Sequence, residues 1–184
     1  MWDRKITALF DGAGDFIRRP LQCGDFTLMT YAIDGLTSGG DISDFVFKPI
    51  SQQLRGTTMQ ELYDNALSGG IYNSVADPCP DPETAAKKLV NGFCVVLFPE
   101  VGAIAFEAKT SDKRSPSPPE VENTVKGAKD GFVETVRSNT SLIRRHLRSP
   151  RLRFFESTVG RRSLTNVSVV WLEGVTNREL VRKM

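Results

Sequence analysis

The chain has 184 residues, 40% of them hydrophobic, and carries a net charge of +2. This length is enough for one domain with its own core. The sequence shows no apolar stretch that could span a membrane and no secretory signal. Its three widely spaced cysteines do not suggest a disulfide framework and favour a reducing compartment. The charge is divided unevenly, because residues 1–112 carry −6 and residues 113–162 carry +7.

The first predicted element is a buried strand. An apolar run covers residues 26–33 and is closed by Asp34-Gly35, a pair typical of turns. The residues before it are interpreted as a short lead-in. Asp41 can cap the helix that follows, and Pro49 should kink that helix or divide it in two.

Two further helices are indicated by their start signals. Thr58 and Glu61 have capping-box spacing, which predicts a short helix through about residue 67. Asp81, Pro82 and Gly92 supply a cap, a first-turn proline and a glycine beyond the end, in the order expected for a second helix.

A hairpin and a loop are predicted next. Residues 93–108 form two apolar arms around a turn, and the second arm alternates so that one of its faces is expected in the core. Residues 110–119 contain three prolines, three serines and no apolar residue, which predicts a mobile loop.

The most informative stretch is a basic helix. Phe132, Val136, Ile143 and Leu147 recur at helical spacing, so we expect an apolar stripe that packs on the domain and arginines that lie largely elsewhere on the surface. The dipeptide at residues 149–150, Ser-Pro, should end this helix.

Two strands and a last helix are predicted in the remaining residues. The strands cover residues 152–158 and 164–172, with a turn at Gly160. Thr176 and Glu179 repeat the capping-box spacing close to the end of the chain. We therefore expect a fragment of a longer polypeptide. Strands alternating with helices favour the α/β class, as a single domain with a mixed sheet flanked by helices.

The residue inventory gives little support to enzyme chemistry. His146 is the only histidine and stands in a run of arginines, so we interpret it as a helix-surface residue. Cys94 belongs to an apolar strand and is expected in the core, whereas Cys79 lies between two prolines in a loop and is expected to be exposed. We predict no catalytic residue, no metal site and no cofactor.

One anion site is a candidate at the entrance to the basic helix. Two glycines and two lysines occur there, where free amides of the helix start can hold an anion. The alternative is a tight turn whose amides are already satisfied by Asp130. The candidate residues are Lys126, Gly127, Lys129 and Gly131.

The arginines allow three interpretations. They can pair with the acidic front half, face an anionic lipid surface, or contact a partner domain. Nucleic acid is not expected as a partner, because no aromatic residues interleave with these cations in the pattern of a recognisable RNA-binding platform.

The same region resembles the A-subunit family of spore germination receptors, the GerA type. The resemblance is carried by Pro119 to Glu122, Lys126-Gly127, Asp130 to Glu134, Asn139, Leu142 to Arg145, Pro150, Leu152, Gly160 and Thr165, and more loosely by Tyr31 to Leu36 and Leu89 to Gly92. It implies an amino-terminal soluble domain of a membrane protein, which here would cover residues 1–184 without the membrane helices.

The resemblance also implies a setting and partners. The domain would lie on the cytoplasmic, spore-core side of the spore inner membrane, in an oligomeric subunit that works with a B and a C subunit to convert nutrient binding into ion release. Partner contacts or coupling are expected from Glu134, Asn139, Arg144 and Arg145. The alternatives are local hydrogen bonding by these residues, a module that binds the germinant itself, and a binder of anionic lipid surfaces.

Overall fold

The computed structural model of the chain describes residues 1–71, 75–109 and 131–183. Helices and strands alternate along it. In chain order they are α1 (Trp2–Leu9), β1 (Phe16–Cys23), β2 (Phe26–Ile33), α2 (Gly39–Ile42), a π-helical turn (Ser43–Phe47), α3 (Lys48–Gln52), α4 (Met59–Leu67), β3 (Ala76–Cys79), α5 (Pro82–Leu89), β4 (Phe93–Phe98), β5 (Gly102–Glu107), α6 (Val136–His146), β6 (Leu152–Val159), β7 (Thr165–Leu172) and α7 (Arg178–Lys183).

Five strands form one sheet in the order β1-β2-β4-β5-β3, and β6 pairs with β7 in a separate two-stranded ribbon. The prediction of a single α/β domain with helices around a sheet is confirmed. The sheet type differs in one respect from the mixed sheet that we expected, since the pairs between named strands of the described residues are all antiparallel. Tight hairpins join β1 to β2 and β4 to β5, and a hairpin reverses the chain, whereas parallel neighbours need a long crossover.

Both faces of the five-stranded sheet are buried. On one face Ile104 and Phe106 of β5 belong to a cluster with Val46 and other residues of the helices between positions 39 and 67. On the other face the small Ala103 and Ala105 leave room for α1 and α5. The expectation of a single core face for this arm was therefore too narrow, because the sheet is the central layer of three.

The helix start signals are confirmed where they follow the capping box or the proline rule. The Thr58 hydroxyl accepts a hydrogen bond of 3.2 Å from the backbone N–H of Glu61 at the start of α4. The Asp81 carboxylate accepts one of 2.6 Å from the backbone N–H of Thr84 at the start of α5. Gly92 has a φ of +83° after the end of α5, a conformation that favours glycine.

The helix predicted from Asp41 begins earlier than expected. Ser38 is its cap, and its hydroxyl accepts a 3.2 Å hydrogen bond from the Asp41 backbone N–H, so Asp41 lies inside the first turn. Pro49 does divide the helix, and the π-helical turn separates α2 from α3. Because proline lacks an N–H and its ring crowds the carbonyl four residues earlier, a wider turn just before it avoids the conflict.

Three elements were missed by sequence reasoning. Residues 1–25 contain α1 and β1, and β3 lies just before α5. The strands carry Pro20 and Pro78, which discourage a strand assignment, yet both occupy sheet edges where a missing N–H is tolerated. Cys79 ends β3 and is only 2% exposed, so the expectation of an exposed thiol was wrong. Burial raises the pKa of the Cys79 thiol to about 11.

The basic helix is shorter than predicted, and its buried face differs from the predicted one. It begins at Val136, and Phe132 of the predicted stripe is 68% exposed. The residues that α6 buries are Ser141 and Arg144. The prediction that α6 packs on the domain through an apolar stripe was wrong. A buried ion pair, described below, makes this contact instead.

The predicted strands after α6 are confirmed within one residue, with Gly160 at a φ of +84° in their turn. The last helix is capped by Asn177, whose side chain accepts from the Glu179 N–H, while Thr176 accepts from the Leu172 N–H. Thr176 was therefore the wrong cap. The loop predicted at residues 110–119 lies outside the described residues. Among the described helices, none has both the length and the hydropathy that a bilayer crossing requires.

Candidate functional site

The basic helix α6 joins the five-stranded sheet through a buried ion pair. The Arg144 guanidinium binds both oxygens of the Asp15 carboxylate, with Nε donating to Oδ2 at 2.9 Å and Nη2 donating to Oδ1 and Oδ2 at 2.7 Å. The arginine side chain is 1% exposed and the aspartate side chain 10% exposed. We call this contact, together with the residues that surround it, the junction.

The remaining donors of Arg144 are used within the junction. Nη1 donates to the backbone carbonyl of Ser149 at 2.8 Å and Nη2 to that of Leu152 at 3.2 Å. The guanidinium carbon also lies 4.9 Å from the centre of the Phe154 ring. A buried arginine is tolerated only when its planar donors are matched in this way.

The electrostatics of the junction are those of a desolvated pair. Burial raises the pKa of the Asp15 carboxyl, and the charge and hydrogen bonds of Arg144 oppose that rise. Removal of either partner would leave the other charge buried without compensation. The pair therefore specifies where α6 sits more strictly than an apolar contact would.

Two glycines bring the backbones at the junction close together. The Gly14 N–H donates to the Phe154 carbonyl at 3.0 Å, which ties the sheet domain to β6. Gly35 has a φ of +80°, and a Cβ atom added there would lie 2.1 Å from the hydroxyl oxygen of Ser141 on α6. Only glycine fits between the end of β2 and this helix.

The four residues predicted to contact partners lie in different environments in the structure. Arg144 is buried at the junction, and the Asn139 side chain closes a local loop by accepting from the Val133 N–H at 2.7 Å and donating to the Val133 carbonyl at 2.6 Å. Glu134 is exposed just before α6, and Arg145 is half-buried on it. The alternative of a local structural role therefore fits Arg144 and Asn139.

The candidate anion site lies largely outside the described residues. Lys126, Gly127 and Lys129 belong to the part of the chain that the structure does not describe, and only Gly131 is described, five residues before α6 begins. The anion site stays a prediction.

A polar cleft opens beside the junction, with a volume of about 340 Å³. Asp34 and Arg137 form an ion pair at its edge, and the ribbon supplies the opposite wall. Its lining consists of Asp34, Val136, Arg137, Glu156, Ser157, Thr158, Asn166 and Val167. Sequence reasoning missed Asp15 and Asp34 as partners of the basic helix, although the opposite charges of the two parts of the chain were the signal that pointed to such pairs.

A family described as "Bacillus/Clostridium GerA spore germination protein" matches residues 4–184. The chain belongs to this family. The resemblance seen in the sequence is thereby confirmed, and the family is one of spore germination proteins rather than a known family of enzymes.

Curated GerA relatives match the chain over most of its length. Stage V sporulation protein AF of Bacillus subtilis (strain 168) is 28% identical over 164 residues, which is 89% of this chain and 33% of that protein. Spore germination protein GerLA of Bacillus cereus is 28% identical over 173 residues, which is 91% of this chain and 34% of that protein. The chain thus spans about a third of the length of these GerA relatives.

A solved structure shares the fold. The N-terminal domain of the A subunit of the Bacillus megaterium spore germinant receptor GerK3 superimposes with a TM-score of 0.70 at 16% identity, over 97% of this chain and 66% of that one. At this identity the similarity concerns the fold alone.

Proposed function

We propose that this chain is the amino-terminal domain of the A subunit of a spore germinant receptor and that it couples nutrient sensing to ion release without catalysis. The observation that carries the proposal is the GerA match over residues 4–184. The fold shared with the GerK3 domain supports the same assignment. In this proposal the membrane-spanning part of the receptor subunit is not among the 184 residues of this chain.

The proposal includes a setting for the domain. It would lie on the spore-core side of the spore inner membrane, in a subunit that forms homo-oligomers and works with a B and a C subunit. The basic character of residues 131–183 supports contact with an acidic or membrane-associated neighbour, because nine Lys or Arg remain there against four Asp or Glu after the buried Arg144 and Arg153 are set aside.

The contact element in this proposal is α6. The Asp15–Arg144 pair fixes the helix to the sheet, so a displacement of α6 by a neighbour would be transmitted to the sheet as a rigid movement. Of the predicted set, Glu134 is exposed and Arg145 is half-buried, as is Asn139, and we assign the partner contact to Glu134 and Arg145. Arg144 and Asn139 position the helix instead.

Copurification tests the assignment of the contact. In the full-length subunit, Glu134→Ala and Arg145→Ala should reduce the amount of B and C subunit recovered with it, while Arg19→Ala, an exposed arginine on edge strand β1, serves as the matched control. Recovery equal to the control for both variants, at equal subunit level, would remove α6 as the contact element.

The polar cleft favours a second candidate function, direct binding of a small germinant. Its charged and hydroxyl side chains suit a polar ligand, and its position between the sheet and the ribbon resembles the clefts in which small ligands bind. Calorimetry with amino acids, sugars and inosine tests it. Heat that disappears in Asn166→Ala would favour direct sensing, and no heat with any of them would leave coupling as the function.

A further inference from the structure

The end of the β6–β7 ribbon is exposed and carries cations beside apolar side chains. All residues from 155 to 166 are exposed, and the ribbon extends roughly 17 Å beyond its last buried residue, Phe154, at about 3.4 Å per residue. We call residues 159–164, beyond the part of the ribbon that lines the polar cleft, the ribbon tip. It contains Arg161 and Arg162 and has no carboxylate.

The apolar residues of the ribbon tip are not needed for packing. Val159 is 48% exposed and Leu164 is 66% exposed, on either side of the two arginines. Of the nine large hydrophobic side chains exposed in the described part of the chain, seven lie in residues 131–183. Exposed apolar groups gathered on the most basic part of a protein indicate an interaction surface.

Leu164 adds an independent observation. Its φ is +46°, in the left-handed region, where asparagine or glycine is accommodated at lower cost than a leucine. A leucine that is 66% exposed recovers little burial energy to offset this backbone strain. Such an outlier points to a function for the side chain.

We propose that the ribbon tip docks on the surface of an anionic lipid bilayer, with Arg161 and Arg162 at the headgroups and Val159 and Leu164 entering the boundary of the acyl chains. Charge complementarity favours this occupant, since the exposed ribbon tip carries two arginines and no carboxylate. The proposal goes beyond the coupling role of α6 and does not depend on it.

Vesicle binding by the 184-residue chain tests the proposal. The vesicles are phosphatidylcholine alone or phosphatidylcholine with about a third phosphatidylglycerol. We expect binding to the anionic vesicles only, and its loss when salt rises from about 0.1 M to about 1 M, because the screening length falls from about 10 Å to about 3 Å.

Two variants locate the binding surface. Arg161→Gln with Arg162→Gln should weaken binding roughly 30-fold, since each cation contributes about a fivefold preference for an anionic surface. Arg4→Gln with Arg19→Gln removes the same charge from exposed positions on the sheet domain and should change binding less than about threefold.

Leu164→Asn removes the apolar group while suiting the local backbone, so it should weaken binding roughly tenfold without lowering the melting temperature. The proposal is overturned if the chain does not bind anionic vesicles at low salt, or if the ribbon-tip variants bind these vesicles as tightly as the control variant does. It is also overturned if these variants abolish self-association in sedimentation velocity while vesicle binding persists, because the tip would then serve a second copy of the chain.

Discussion

Arg144 shows how one residue can look like surface in the sequence and lie in the core of the structure. It belongs to a run of cations, yet its side chain is 1% exposed and donates hydrogen bonds to Asp15 and to the backbone carbonyls of Ser149 and Leu152. The Asp34–Arg137 pair, on the same helix, has side chains that are 38% and 64% exposed. Solvent screens the exposed Asp34–Arg137 pair and makes it weak. The Asp15–Arg144 pair is shielded from solvent, so each charge depends on its partner.

Replacement of Arg144 should therefore destabilise the domain strongly. We expect Arg144→Ala to lower the free energy of unfolding by about 3–5 kcal/mol, because Asp15 is left buried and charged. Arg144→Lys should recover only part of this, since an ammonium cannot reproduce the two-point contact with the carboxylate. Urea unfolding at neutral pH measures both.

Arg137→Ala is the matched control for that experiment, because it removes an ion pair from the same helix. It should lower the free energy of unfolding by less than about 1 kcal/mol. Equal losses for Arg137→Ala and Arg144→Ala would contradict the distinction between the two pairs.

Asp3 connects α1 to the sheet and predicts a pH dependence. The Arg18 guanidinium holds the pKa of the Asp3 carboxyl below its usual value, burial opposes this, and the Tyr31 hydroxyl assists. A carboxyl whose pKa is lowered in the folded state contributes stability above its unfolded pKa of 3.8, and this stability is lost as pH falls through the folded value.

Asp3→Asn should thus cost about 1 kcal/mol at pH 7, a value reduced by solvent because the Asp3 side chain is 36% exposed. As pH falls through the folded pKa of Asp3, the difference in stability between the variant and the parent chain should shrink toward zero, and chemical denaturation from pH 7 into the acid range checks this. Asp25→Asn, in the exposed β1–β2 turn, controls for net charge. A deficit that persists at low pH would show that the carboxylate charge is not the cause.

At the scale of elements, the contact between α6 and the end of β2 depends on a glycine. Gly35→Ala combines a left-handed backbone, which costs about 1–2 kcal/mol, with a collision between the new Cβ and the Ser141 hydroxyl. Gly24→Ala has only the cost of the left-handed backbone, because the φ of Gly24 is +59° and an added Cβ would meet no atom within 4 Å.

We therefore expect Gly35→Ala to be less stable than Gly24→Ala by roughly 1–3 kcal/mol in thermal or urea unfolding. Ser141→Ala in the Gly35→Ala background should restore part of the difference, since it removes the colliding oxygen. No recovery in this double-mutant cycle would mean that the two residues are not in contact.

The element boundaries show what local signals can predict. Thr58 and Asp81 were identified as caps because a cap depends on residues three positions away. The buried face of α6 was not, because it depends on Asp15, which lies 129 residues from Arg144 in the sequence. A helix usually packs on its domain through a hydrophobic stripe. No pattern within the helix sequence reveals that a buried ion pair makes the contact here.

At the scale of the whole molecule, the alternation of helices and strands was enough for the α/β class but not for the sheet order. The edge strands β1 and β3 contain prolines, which argue against a strand when only the sequence is known. In addition, β3 pairs with β5, although a helix and a strand lie between them in the sequence. The opposite charges of the two parts of the chain meet in the fold, where acidic residues near the sheet pair with arginines of α6. The resemblance to the GerA family was available from the sequence, whereas the exposure of each residue on α6 was not.

The central claim is that α6 and the residues just before it couple this domain to its receptor, through Arg145 on the helix and Glu134 ahead of it. The direct measurement is the germination rate of spores whose full-length subunit carries Glu134→Ala and Arg145→Ala together, with the subunit level measured by immunoblot and Arg19→Ala as control. The account predicts germination at least several-fold slower in response to nutrient at a normal subunit level. Germination at the rate of the control, with the subunit present at the same level, would contradict it.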